Sequence, residues 1–147
     1  MRISTRGRYG VRFMLELASH YGKEPVTLKH VAKDQSISEK YLWHLVPPLK
    51  AAGLLSAGRG AHGGYSLTKP PSRVTLEDIV SAVEGPLFPT LCAEDPSCCK
   101  RSKLCASRDI WEDIGKKISR ALASVTLEEL VRRQEAKSRK TGSMYYI

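Results

Sequence analysis

Residues 28–69, LKHVAKDQSISEKYLWHLVPPLKAAGLLSAGRGAHGGYSLTK, decide the fold. They open with a short helix over 28–34 that follows Thr27 and carries Leu28, Val31 and Ala32 on one side. Gln35-Ser36-Ile37 makes a tight link. Ser38 is a residue type whose side-chain oxygen satisfies the free amides of a helix start, so a second helix begins there. At about 100° per residue, Leu42, Leu45, Val46 and Leu49 share one face of that helix. Lys40, His44 and Pro47 lie opposite, with Tyr41 and Trp43 at the flanks. Two short helices joined this closely fit a helix-turn-helix, and an aromatic, cationic outer face suits the DNA major groove. Pro47 and Pro48 lack backbone N–H groups, which predicts that the helix ends or kinks near Val46. A further turn over 49–52 is then stopped by Gly53.

Residues 54–69 read as two short strands around a glycine-rich tip, the wing of a winged helix. Arg59 stands at its base, and Gly60, Gly63 and Gly64 allow the backbone to approach another surface closely. No Gly-Lys-Ser/Thr follows the tip, so it is not a nucleotide-binding phosphate loop.

Moving outward, Tyr9, Phe13, Leu17 and Tyr21 recur every fourth position and predict a helix over 6–21, stopped by Gly22. Thr75-Leu-Glu-Asp78 starts a short helix through Val83, ended by Gly85-Pro86. A loop over 86–106 follows. From Ser107 a long helix runs to about Val125, with Ile110, Trp111, Ile114, Ile118, Ala121, Leu122 and Val125 in one stripe. So small a chain does not need that stripe for its own core, which predicts a two-fold dimer contact. Thr126-Leu-Glu-Glu129 opens a last helix ending near Glu135, followed by a flexible basic tail over 136–147. The expected fold class is mainly α with a small β-hairpin wing: a winged helix-turn-helix plus a long dimerisation helix. Its regions are 1–74 for DNA, 75–106 for a short helix and cysteine-rich loop, and 107–135 for dimerisation.

Charge follows the same division. Residues 1–74 carry 12 Lys/Arg against 4 Asp/Glu, whereas 75–147 carry 12 against 11. A basic excess confined to one half predicts a polyanionic partner for that half. The N-terminus has charges threaded through it and no apolar stretch of a signal peptide, and no run is long enough to span a membrane. The expected location is the cytoplasm, where thiols stay reduced. No recognisable substrate-site constellation is present, so an enzyme is not expected.

All four cysteines, Cys92, Cys98, Cys99 and Cys105, lie within fourteen residues. In a reducing compartment that density favours metal ligation over structural disulfides. Five residues separate Cys92 from Cys98 and five separate Cys99 from Cys105, wider than the pairs of a zinc knuckle. Wide spacing lets a loop wrap a multi-atom inorganic core, and Lys100, Arg101 and Lys103 would offset its negative charge. Thiols that serve only in redox chemistry are the competing reading, alongside zinc sensing without iron. An iron–sulfur electron-transfer protein is a more distant one.

MRISTRGRYGV, ISEKYLWHLVPPLKAAGLL, RGAHGGYSL and LEDIVSAVEGP followed by spaced cysteines resemble the iron–sulfur cluster regulator (IscR-like) family of winged-helix repressors. That family also includes nitric-oxide-sensing and cysteine-metabolism repressors. The resemblance covers about residues 1–135. It implies a homodimer on palindromic double-stranded operator DNA, controlled by a cluster, with 2Fe–2S favoured over 4Fe–4S. It further implies that Cys92, Cys98 or Cys99, and Cys105 are ligands. Arg59 beside Gly60 would reach the minor groove, and Ser38, Lys40, Tyr41, Trp43 and His44 would lie in or beside the major groove. Two departures stand out. Iron–sulfur assembly regulators of the family commonly have a His three residues after the last cysteine, where this chain has Arg108. Its nitric-oxide sensors can use an acidic residue near the N-terminus, where the corresponding stretch offers Arg8. An all-thiolate site of Cys92, Cys98, Cys99 and Cys105 follows as one completion, and three thiolates with another group as a second. The four histidines are all in the DNA-binding half and are assigned to structure or DNA.

Overall fold

Helix α1 (Thr5–Ser19) begins where Ser4 Oγ accepts the Gly7 amide at 3.2 Å. Ser4 also donates its hydroxyl and amide to Glu84, at 2.7 and 2.9 Å, which ties the start of α1 to the end of a later helix. The computed structural model describes residues 2–144. Helix α2 (Leu28–Gln35) is capped by Thr27, and Ser36, at φ 51°, is the left-handed turn into α3 (Glu39–Ala51). Ser38 caps α3 by accepting the Tyr41 amide at 3.1 Å, as its residue type predicts.

Helix α3 does not stop at Val46. It continues through Pro47 and Pro48 to Ala51. The two missing donors would have served the carbonyls of Trp43 and His44, both exposed residues at which water can substitute. Leu42, Leu45 and Leu49 are meanwhile fully buried, each contributing about 1.5–3 kcal/mol. Burial of that face on both sides of the prolines outweighs the local penalty.

Strands β1 (Leu55–Gly58) and β2 (Gly64–Leu67) pair antiparallel, Leu55 opposite Leu67 and Gly58 opposite Gly64. Val26 bridges the other edge of β2 by exchanging backbone hydrogen bonds with Tyr65 at 2.9 and 2.8 Å. At Gly64 (φ +154°) a Cβ would come within 2.8 Å of the Val26 backbone, so this contact requires glycine. The wing is thereby bound to the chain entering α2.

Thr75 and Asp78 form a reciprocal capping box at the start of α4 (Leu76–Glu84). Phe13, Met14 and Leu17 of α1, Val31 of α2, the α3 leucines, Leu55, Leu67, Ile79 and Val83 form one core with Leu127. The 86–106 segment, expected as plain loop, contains a single helical turn, α5 (Leu91–Glu94), and two 3-10 turns at Pro96–Cys98 and Ser102–Leu104.

Helix α6 (Ala106–Ala123) buries only Gly115, where a side chain would collide with the ring of Phe88. Ile110 and Trp111 are 57% and 40% exposed, so the N-terminal part of the predicted apolar stripe is left uncovered by its own chain, whereas Ile114, Ile118, Leu122 and Val125 are partly buried. Helix α7 (Leu127–Met144) passes well beyond Glu135, and the tail expected at 136–147 is helical as far as Met144. The remaining tail positions, 145–147, lie outside the described residues. Pairs such as Arg133–Glu129 at 2.8 Å and Arg139–Glu135 at 3.6 Å, one turn apart, support this polar helix. The lack of apolar period beyond Glu135 hid that extension from the sequence reading.

Candidate functional site

The α3 face opposite the core presents Ser38, Lys40, Trp43 and His44 to solvent. Trp43 is 56% exposed, an unusual position for tryptophan unless another surface covers it. Tyr41 is the exception among the predicted residues. It is half-buried, and its ring meets Tyr9 of α1 edge-on at 5.2 Å, so it also holds α3 against α1. Arg59 and Gly60 are exposed on the wing, and Gly60 takes φ +91° with nothing within 4 Å of where a Cβ would stand.

The two elements enclose an open groove lined by Thr27, Lys29, Glu39, Trp43, Gly60 and Tyr65, among others. Thr27 and Lys29 were not singled out from sequence. Packing of α2 against α3 brings them beside Trp43, and the wing forms the other wall. Of the predicted residues, Trp43 of α3 and Gly60 of the wing line this groove together, on the basic half of the chain.

The cysteine loop is different in kind. Its four thiols are free, Cys98 exposed and Cys92, Cys99 and Cys105 half-buried. Cys105 is the N-cap residue of α6. The Ser107 hydroxyl at 3.2 Å and the Arg108 amide stabilise its thiolate, so its pKa lies below the ordinary thiol value. Cys98 is pushed the other way, first by partial desolvation and then by the negative charges of Cys92, Asp95 and Cys99. Arg108, in place of the histidine common in the resembling family, anchors the loop. Its Nε donates to the Cys92 carbonyl at 3.1 Å, while its terminal nitrogens pair with Asp109 and Glu112 at 3.1 and 3.0 Å.

Among the described residues, the trio of Cys, His, Asp or Glu side chains with ligand atoms within 4.8 Å of one another is Glu16, His20 and His30. The four sulfurs therefore form no ready cage for a single tetrahedral ion. An iron–sulfur core needs wider sulfur separations because two or more irons lie between them, and a donor set of four accessible thiols fits that chemistry. His20 and His30 were read as structural or DNA-facing. Their convergence was invisible in sequence because it joins two helices. His44 and His62 are exposed, on α3 and at the wing tip.

The sequence profile of the Rrf2 family, described as an iron-dependent transcriptional regulator, matches residues 3–133. The chain belongs to the Rrf2 family. It is 40% identical over 147 residues to the HTH-type transcriptional regulator CymR of Bacillus subtilis, covering 100% of both chains. The solved structure of that CymR, described as the global cysteine regulator, superposes with a TM-score of 0.73 at 41% identity, covering 90% of this chain and 98% of the other. T. potens IscR gives a TM-score of 0.74 at 35% identity over 93% of this chain and 90% of the other. The winged-helix architecture expected from sequence is that of these Rrf2 neighbours. The chain is a DNA-binding transcriptional regulator and not an enzyme. Among the described residues no helix is long and apolar enough to cross a membrane.

Proposed function

We propose that the protein is a cytoplasmic homodimeric repressor of palindromic operators whose grip on DNA is set by an iron–sulfur cluster on the cysteine loop. The observation that carries this reading is four free, accessible thiols in one loop between α4 and α6, on an Rrf2 chain. Cys92, Cys98, Cys99 and Cys105 would hold the group, with the two-iron form preferred from the IscR-like resemblance. When bound, it supplies an anionic centre sensitive to oxidation and nitrosylation. Arg108 fixes Cys92 to α6, so ordering of the loop transmits to that helix. The exposed stripe of Ile110 and Trp111 pairs α6 with its copy, and α6 carries the two α3 helices into half-sites about 34 Å apart. Lys40, Tyr41, Trp43, His44 and Ser38 read the major groove, while Arg59 and Gly60 enter the minor groove.

The test is purification without air followed by iron and acid-labile sulfide assays, with gel shifts of the loaded and stripped forms at one salt concentration. Stoichiometric iron and sulfide, with a changed operator affinity on stripping, supports the reading. Protein that holds neither, even after reconstitution, defeats it. One observation favours a second reading, the full-length match to CymR. There the thiols need no iron, and a protein partner tied to cysteine supply sets DNA binding. Iron-free protein that still shifts operator DNA selects that reading.

A further inference from the structure

Glu16 lies on α1 with a side chain only 10% exposed. A carboxylate so far removed from water needs compensating charge or hydrogen bonds. Among the described residues no Lys or Arg pairs with it. Its Oε2 accepts one hydrogen bond, from Gln35 Nε2 at 2.8 Å. Its Oε1 faces two imidazoles instead, His20 Nδ1 at 3.6 Å and His30 Nε2 at 3.5 Å. The rings meet edge to face, with centroids 5.3 Å apart.

We propose that Glu16, His20 and His30 bind one divalent transition-metal ion that clamps α1 to α2. Ligand atoms about 2.0–2.2 Å from a tetrahedral ion sit about 3.3–3.6 Å from one another. The separations from Glu16 Oε1 to the two imidazole nitrogens, 3.5 and 3.6 Å, are close to that edge without rearrangement. Two imidazoles and a carboxylate are the donor set of zinc and of non-haem iron(II), and the ion would supply the positive charge that Glu16 lacks. An open pocket lined by His20, Glu24, Pro25, Val26, Thr27 and His30 gives the ion a route from solvent.

Two other contacts have to be met. His20 Nδ1 lies 2.9 Å from the Glu16 carbonyl, so ligation moves the ring proton from Nδ1 to Nε2 and gives up that hydrogen bond. His30 Nε2 is 3.3 Å from Asp34 Oδ2, which places a second carboxylate beside the ion. Gln35 orients Glu16 from behind and is itself held by Arg12, whose Nε donates to Gln35 Oε1 at 3.2 Å. Gln35 ends α2, immediately before the Ser36 turn, and Arg12 stacks 5.5 Å from the centre of Tyr9, which abuts Tyr41 of α3. The ion would therefore stiffen the support of the recognition helix, from a site separate from the thiols.

The test uses tag-free, metal-stripped full-length protein, titrated without air with Co2+ as a spectroscopic probe, then with Zn2+ or Fe2+ as competitors. Wild type and a variant with all four cysteines replaced by serine are compared. The proposal expects one equivalent of Co2+ in the serine variant at micromolar affinity or tighter, with visible d–d bands and no sulfur-to-metal charge transfer. Whichever competitor displaces it at lower concentration identifies the ion. His30→Ala, at a half-exposed position, should weaken binding at least ~10-fold, and Glu16→Gln likewise. Should the serine variant not fold, the same sulfur-free bands are read in wild type, where His30→Ala removes them and leaves any thiolate bands. Binding only through sulfur, or Co2+ affinity unchanged by His30→Ala, overturns the site and leaves a hydrogen-bonded His–Glu staple.

Discussion

In the winged helix-turn-helix, Phe13, Leu42, Leu45 and Leu49 are fully buried beneath an exposed face of Lys40, Trp43 and His44. Across 86–106 the single buried residue is Ala93. Cys92 and Cys98 sit on turns of four and three residues, and Cys99 and Cys105 directly follow three-residue turns. A rigid core fixes side chains to within the tolerance that base recognition needs. A segment with almost no core must take its order from something else, whether a bound group or single anchors such as Arg108. On the proposed function, that contrast separates reading from sensing by packing density, a densely packed part for DNA and a sparsely packed part for the sulfur.

The strongest way to break that contrast is to remove core from each region in turn. Leu45→Ala should cost about 2–5 kcal/mol in urea unfolding, whereas Cys98→Ser should stay within about 0.5 kcal/mol. Equal losses would mean that the loop is as well packed as the core. Arg59→Ala should next lower operator affinity by about 1–3 kcal/mol and flatten the salt dependence by about one unit of slope, with unfolding unchanged. Unaltered gel shifts at fixed salt would remove the wing from the reading surface.

A smaller effect separates anchor from loop. Arg108→Ala frees the Cys92 carbonyl and should cost about 1–2 kcal/mol, seen as faster protease cleavage within 86–106 at constant cleavage elsewhere. The mildest probe changes no residue. As pH rises through the thiol range, metal-free protein should be alkylated at Cys105 before Cys98, because one pKa is lowered and the other raised. Peptide mass spectrometry in which Cys98 reacts first would reverse the assigned polarity of the loop.

Much of the reading half was legible because it obeys short rules. Ser38 and Thr75 cap the helices their residue types announce, and the Leu42, Leu45, Val46, Leu49 spacing is buried as a face. Pro47-Pro48 misled because a local rule met a stronger tertiary one. The end of α7 was missed because a helix held by polar pairs has no hydrophobic period. Of the candidate residues, Ser38, Lys40, Trp43, His44, Arg59 and Gly60 are exposed, whereas Tyr41 leans inward onto Tyr9.

Periodicity, caps and cysteine spacing alone established a mainly helical winged fold, a basic half with a cationic, aromatic helix face, and a dense sulfur segment. These are properties of neighbours along the chain, so the order of residues contains them. The tertiary structure decided that α3 survives its prolines, that Lys29 joins Trp43 in one groove, and that Glu16, His20 and His30 meet. Each of those depends on distances between separate elements, which burial of the shared core sets and no local pattern encodes.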